Sequence, residues 1–478
     1  MRPVTKAIVV VAAVTALGGG ARFWNLSQPG EKYFDEAYYA SDGCLYAGVD
    51  YRECNLESPV ERSWVHPPLG KLLISWGIDG FGNRPFGWRV SSAAAGTATV
   101  ALAGMLAFLL TGSALWAGVG ALLLATEHLN FVQSRIAMLD IFLALFAVLA
   151  ITLVVWDRVR RDRLDEAARP PPPLVAGGSG LEGLETEDLA LAAPAPPVAR
   201  TLGRSGVRPL RLAAGAALGA GMAVKWSGLY VWAAALLLSI LWERGRRKRA
   251  GYRRPLLGTI VEEGPSLVLA FGVVPLLVYG ATWTSWLSAH DFSLSRLWSN
   301  HGAIADYHFG LDTIGDDGEP IHPYMSRPWT WFLMLRPVAY FYEGTDTTAA
   351  EVLGMGNPIL FWCSLVAIPA LVLLWRRDWR AGAVAVPVLA QYLPWLFVGR
   401  PLFLFYLTPV TPFLAVGAAY GLFRLSRIEV PERRVLLGIG VAALVAAVGV
   451  FVFFWPVLVG DRISLDAWNT RMWLPGWV

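Results

Sequence analysis

The sequence predicts an all-α integral membrane protein, a single membrane domain with about eleven transmembrane helices and two larger extracytoplasmic loops containing short amphipathic helices. Three observations predict it. The 478-residue chain is 55% hydrophobic and 16% charged, with a mean hydropathy of +0.48, which excludes the two or three soluble domains its length would otherwise suggest. Uncharged runs long enough to cross a bilayer recur throughout, and arginines gather in alternate loops between them. The 22 Trp residues fit the headgroup region, where indole is partly wetted.

The first run, about residues 6–24, follows Arg2 and Lys6. It reads as an uncleaved anchor, since no small-x-small site closes it. Further runs lie at about 88–111, 113–129, 136–156, 209–224, 227–242, 264–283, 357–375, 381–398, 402–423 and 434–458. Those at 113–129 and 209–242 are short or abut, which leaves the count open by one or two. Lys and Arg of short loops stay cytoplasmic. With the N-terminus inside, segments 157–208, 243–263, 376–380 and 424–434 face the cytoplasm, and all are rich in arginine. The external loops 25–87 and 284–356 hold more acids than bases. An odd count puts the tail 459–478 outside. The inner segment 157–208 is expected to be a disordered connector: from residue 165 it carries Pro170-Pro171-Pro172-Pro173 and a Gly/Ala/Glu-rich run, too little apolar surface to offset ordering entropy.

Chemistry concentrates in the first external loop. Asp35 and Glu36, in YFDEAYYA, lie about ten residues beyond the first run, and the loop closes on HPPLGK at 66–71. Five cations map to outer membrane ends against the charge pattern: Arg89, Arg135, Lys225, Arg336 and Arg400. Ionisable groups at membrane depth are functional candidates by default. Each alone also fits snorkelling to headgroups; five beside an acid pair favour a bound anion, for which a lipid phosphate is the natural choice. Asp140 is expected to pair with Arg135 or Lys225, and Glu127-His128 to be structural. His290, His301, His308 and His322 are spaced by 11, 7 and 14 residues, which matches no common metal-ligand pattern. Cys363 is expected in the core. Cys44 and Cys54 share the first external loop, where an oxidising compartment permits a bridge.

An acid pair beside phosphate-binding cations outside the membrane fits glycosyl transfer from a lipid-phosphate sugar. There is no P-loop or GxGxxG element, no nucleic-acid-binding pattern, and no motif that calls for a metal or other cofactor. A carboxylate would take the acceptor's proton, and cations would stabilise the departing phosphate. One base and one displacement imply inversion at the anomeric carbon.

These residues carry a family resemblance. FDE at 34–36, HPPLGK at 66–71, RIAMLD at 135–140, VKWSGLY at 224–230, HPYMSRPWTW at 322–331, GNP at 356–358 and RPLFLFYLTPVTPF at 400–413 occur in order across nearly the whole chain. Together they resemble the protein O-mannosyltransferases, multi-span enzymes of the GT-C class. The resemblance implies transfer of mannose from polyprenyl-phosphate-mannose to Ser or Thr of exported proteins, met near the secretion translocon. It maps the catalytic acids onto Asp35, as base, and Glu36, as a positioning or acceptor-binding group. His66, Lys71, Asp140, His322, Tyr324 and Trp329 are then candidates for acceptor or sugar positioning. The outer loop 284–356 is too short for the β-trefoil of the eukaryotic enzymes, and 35 Arg against 5 Lys fit a bacterial, actinobacterial-type member in a plasma membrane. The competing readings are another GT-C transferase with a lipid or glycan acceptor, and a transporter, which would show repeated halves or paired broken helices.

Overall fold

The computed structural model describes residues 3–58, 64–167, 206–315 and 319–477. The expected connector falls largely on residues outside these. Its first part does not: residues 157–167 continue a transmembrane helix to Ala167, and Arg208 is fixed in an ion network. Those portions are ordered parts of the fold, a correction to the boundary at 157.

Each expected apolar run falls on a helix. The first four runs correspond to α1 (Pro3–Phe23), α4 (Pro85–Thr111), α5 (Ala114–Ala125) and α7 (Asp140–Ala167). Seven helices are long and apolar enough to cross a membrane: α1, α4, α7, Pro255–Thr282, Pro358–Trp375, Leu404–Leu425 and Arg433–Val459. Ala114–Ala125 and Pro209–Val224 are apolar but shorter. Length and composition therefore support seven crossings among the described residues, where the sequence suggested eleven. The segment Pro255–Thr282 contains a π-helical stretch at Leu269–Val273 between Pro265 and Pro275. Proline lacks the amide that would close a regular turn, which accounts for the irregularity.

The loop 25–87, expected to be external, is folded. It contains α2 (Glu36–Tyr46) and α3 (Leu69–Phe81), with Cys44 and Cys54 joined as a disulfide. Pro67-Pro68 opens α3, and Gly70 lets it seat deeply: a Cβ there would lie 2.6 Å from Leu139 Cδ2 and 3.5 Å from Val224 Cγ1. The HPPLG turn is thereby pressed against Leu139, just before Asp140, and Val224, just before Lys225.

The large outer loop differs from expectation. It has the short helices Thr284–Ala289 and Leu294–Phe309, but also a hairpin of β1 (Val338–Gly344) and β2 (Thr348–Gly354). A third strand, β3 (Ile463–Ser464), comes from the C-terminal tail and pairs antiparallel with β2, Thr348 opposite Ser464. Tail and large loop thus share one face. Two single residues can be settled, one of them a correction. Cys363 is exposed on its helix rather than in the core. Glu127 is structural as expected: it caps α6 (His128–Gln133) by accepting from Leu129 N and Asn130 N, and also accepts from Asn357 N.

At the opposite end, Arg208, Arg211, Arg246 and Arg247 interlock with Asp157, Asp165, Glu243, Glu262 and Glu263. Glu243 and Glu263 each face all four arginines. Buried charges persist only when paired in this way.

Candidate active site

The two adjacent acids have opposite environments, and the turn before them is the reason. Phe34 takes a left-handed conformation (φ 52°), and its ring lies edge-on to Tyr340 at 4.9 Å, to Phe405 at 5.9 Å and to His322 at 5.9 Å. Asp35 then caps α2 and Glu36 begins it.

Glu36 is fully buried, with Arg89 Nε donating to Oε1 at 2.8 Å and Arg89 Nη2 to Oε2 at 2.9 Å. Ala137 N also donates to Oε1, at 2.8 Å. Glu36 is a structural anchor, not a group open to substrate. Arg89 likewise cannot meet a lipid phosphate: its remaining N–H groups donate to the carbonyls of Leu26, Pro29 and Glu31, so all five are used. Arg135 is a second correction. Its guanidinium closes the end of α1 by donating to the carbonyls of Ala21 and Arg22, which the helix end leaves unsatisfied, and to those of Trp24 and Asn25 just beyond it.

Asp35 is half-buried and turned the other way. It faces Lys225 and Asp140, and Tyr39, one helical turn on, hydrogen-bonds its carboxylate. Burial raises its pKa from 3.8 to about 6; Lys225 and the Tyr39 hydroxyl oppose the shift, while Asp140 adds to it. Lys225 Nζ lies 2.7 Å from Asp140 Oδ2. That ion pair was one of the two expected.

Lys225 and Asp140 line a cavity of about 270 Å³ together with His66, His308, Arg400 and Tyr406. Its other walls are largely apolar, among them Leu143, Leu229, Trp395 and Val398. Arg400 donates to Tyr406 Oη at 3.1 Å and contacts His308 Nδ1, both neutral. Among the described residues it has no carboxylate partner, so its charge is open to an anion. Cationic side chains in the wall of a largely apolar pocket suit a phosphate carrying a hydrocarbon chain.

The other candidates divide. His322 packs on Phe34, the residue before Asp35, and on Phe403 at 5.0 Å, with Tyr324 next to it at 5.6 Å. Arg336 is held away from the cavity, donating to Pro323 O, and Trp329 is 60% exposed without lining it. Lys71 is buried within α3 over the Tyr46 ring, and does not line the cavity either. None of these three joins the site. Sequence reasoning missed Tyr39, Tyr406 and the role of His308. Tyr39 was findable, because it sits four residues after Asp35 on a helix; the other two are brought in only by tertiary packing.

The fold and this pocket define a membrane glycosyltransferase of the GT-C architecture. Residues 12–165 match the family model described as dolichyl-phosphate-mannose-protein mannosyltransferase, and residues 293–477 that of the C-terminal four TMM region of protein-O-mannosyltransferase. The chain is 32% identical to a polyprenol-phosphate-mannose–protein mannosyltransferase of Mycolicibacterium smegmatis, over 98% of this chain and 92% of that one. A relative of the same description from Mycobacterium tuberculosis is 31% identical, over 98% and 91%. The fold is similar to that of the Saccharomyces cerevisiae protein O-mannosyltransferase Pmt1-Pmt2 complex bound to the sugar donor, with a TM-score of 0.73 at 14% identity, covering 99% of this chain and 93% of that one. ArnT of Cupriavidus metallidurans bound to undecaprenyl phosphate gives 0.53 at 17% identity, covering 95% and 76%. The chain belongs to the polyprenol-phosphate-mannose–protein mannosyltransferase family.

Proposed function

We infer that this chain transfers mannose from polyprenyl-phosphate-mannose to Ser or Thr hydroxyls of exported polypeptides, at the outer face of a bacterial plasma membrane. The observation that carries the reading is Asp35, with a pKa of about 6, beside a Lys225–Asp140 pair at a cavity that Arg400, without a carboxylate partner among the described residues, also lines. In this reading the prenyl chain lies along Leu143, Leu229 and Val398, and the phosphate meets Arg400 and Lys225. Asp35 accepts the proton of the acceptor hydroxyl as its oxygen bonds to the anomeric carbon. The bond to phosphate oxygen breaks, its electrons pass to the phosphate, and the two cations stabilise that charge. One displacement inverts the anomeric centre. No step requires a metal. His66, His322 and Tyr324 are the side chains that would touch sugar or acceptor. The N-terminus is then cytoplasmic and the tail external, where acceptors would meet the enzyme as they leave the secretion machinery.

The test is transfer of radiolabelled mannose from polyprenyl-phosphate-mannose into a Thr-rich peptide by membranes containing the protein. Label in the peptide, with anomeric configuration opposite to the donor's, supports the reading. Label entering only lipid would favour a transferase with a lipid acceptor, and no label in either would overturn the activity.

A further inference from the structure

We propose that His308 is a positioning residue of the donor pocket: as a neutral imidazole it accepts a hydrogen bond from Arg400 and fixes that guanidinium in the cavity wall. The inference rests on the reading that Arg400 meets the donor's phosphate.

The hydrogen-bond partners determine the tautomer. His308 Nε2 lies 2.9 Å from the Val65 carbonyl oxygen, which can only accept, so Nε2 carries the proton. Nδ1 faces Arg400 Nη1, which can only donate, so Nδ1 is bare. Protonating it would set N–H against N–H. The charged groups around the ring are Arg400 and Lys225, both positive, and its titratable neighbours are His66, with ring centres 5.3 Å apart, and Tyr307 at 5.5 Å. Burial above all, and then Arg400, lower its pKa to about 4. The imidazole is therefore neutral wherever the enzyme would work.

Neutrality is what the task requires. A carboxylate in this place would also orient Arg400, but would cancel the charge that an incoming phosphate needs. His308 and Tyr406 together aim the guanidinium and leave it cationic. His308 further ties Arg400, through Val65, to the HPP turn beside it. The helix Leu294–Phe309 does not depend on this link for its place. His301, two turns earlier on the same face, lies 2.8 Å from Tyr279 Oη, and that hydroxyl accepts from Trp226 Nε1 at 3.1 Å.

The experiment uses the full chain in detergent or nanodiscs and titrates farnesyl phosphate, a prenyl phosphate without sugar, so that it reads phosphate capture independently of mannose transfer. His308→Ala should weaken binding about tenfold, and Arg400→Ala at least as much. The double variant should bind no worse than Arg400→Ala alone, because both changes remove one interaction. His308→Asn, which keeps an acceptor at the δ position, should recover most of the loss, with melting temperature unchanged across the set. Losses that multiply in the double variant, binding by His308→Ala within about twofold of wild type, or an Asn variant as weak as Ala would each overturn the assignment. Unaltered binding by Arg400→Ala would overturn it too, while leaving mannose transfer to be judged by the peptide assay.

Discussion

Replacing Asp35 by Asn tests the mechanism and its electrostatics together. The substitution keeps size and hydrogen-bonding capacity but removes the charge and the basic oxygen. Loss of a positioned general base costs roughly 10²–10⁴-fold in turnover. Stability should move the other way. Burial lifts the folded-state pKa of Asp35 from 3.8 to about 6, so the ionised carboxylate opposes folding. At about 1.4 kcal/mol per pH unit this is at most about 3 kcal/mol, trimmed by solvent at the residue's exposed edge. The sign follows from the raised value: wild-type stability is full below the unfolded value near 3.8 and is lost as pH rises through about 6. The Asn variant should therefore melt above wild type at pH 7.5, with the gap closing towards pH 4, while peptide mannosylation is nearly abolished. Wild-type turnover should show an acid limb near pH 6, as Asp35 becomes protonated. The assays are mannose transfer to peptide and thermal unfolding of purified protein across pH. Turnover by the variant within tenfold of wild type would refute Asp35 as base, and lost activity with a lowered melting temperature would make it structural.

Glu36→Gln should lower the melting temperature together with activity, unlike the Asp35 change, and Arg89→Ala should fail to accumulate in membranes, since a buried charge left unpaired costs about 3–5 kcal/mol; a stable, inactive Glu36→Gln would instead mark it as catalytic. Glu243→Ala should destabilise by a similar amount without altering the KM for lipid donor in the folded fraction, because it strips all four arginines of a shared partner far from the cavity. Arg336→Ala should leave that KM within about twofold of wild type, whereas Lys225→Ala should raise it; equal effects would show that the cavity does not define the phosphate site. Glu351 is buried in β2, accepts from Trp468 Nε1 at 2.6 Å, and is raised to about 7 by burial. Its contribution to stability is thus lost as pH rises through 7, and Glu351→Gln should flatten the alkaline side of the melting profile.

The helices were legible because lipid exposure demands apolar runs and charge asymmetry marks their loops. The hairpin was not, although VAYFYEG alternates inward Val338 and Tyr340 with more open Ala339 and Phe341, a strand signature hidden by the aromatic character of the whole loop. Site residues show the same division. Asp35, Lys225, Asp140 and Arg400 could be found as charges where a membrane tolerates few. That rule measures only the cost of a charge at depth, and the cost is offset equally well by a ligand or by the protein itself. Arg89 and Arg135 satisfy it with Glu36 and with the carbonyls at the end of α1; Arg400 satisfies it with neutral acceptors and keeps its charge. Sequence position is blind to that distinction, because Leu26, Pro29 and Glu31 meet Arg89 through backbone oxygens that every residue possesses. The partners of each guanidinium separate structural arginines from binding ones: Arg89 spends all five N–H groups on Glu36 and backbone carbonyls, Arg135 is directed at the carbonyls around the end of α1, and Arg400 meets only neutral acceptors.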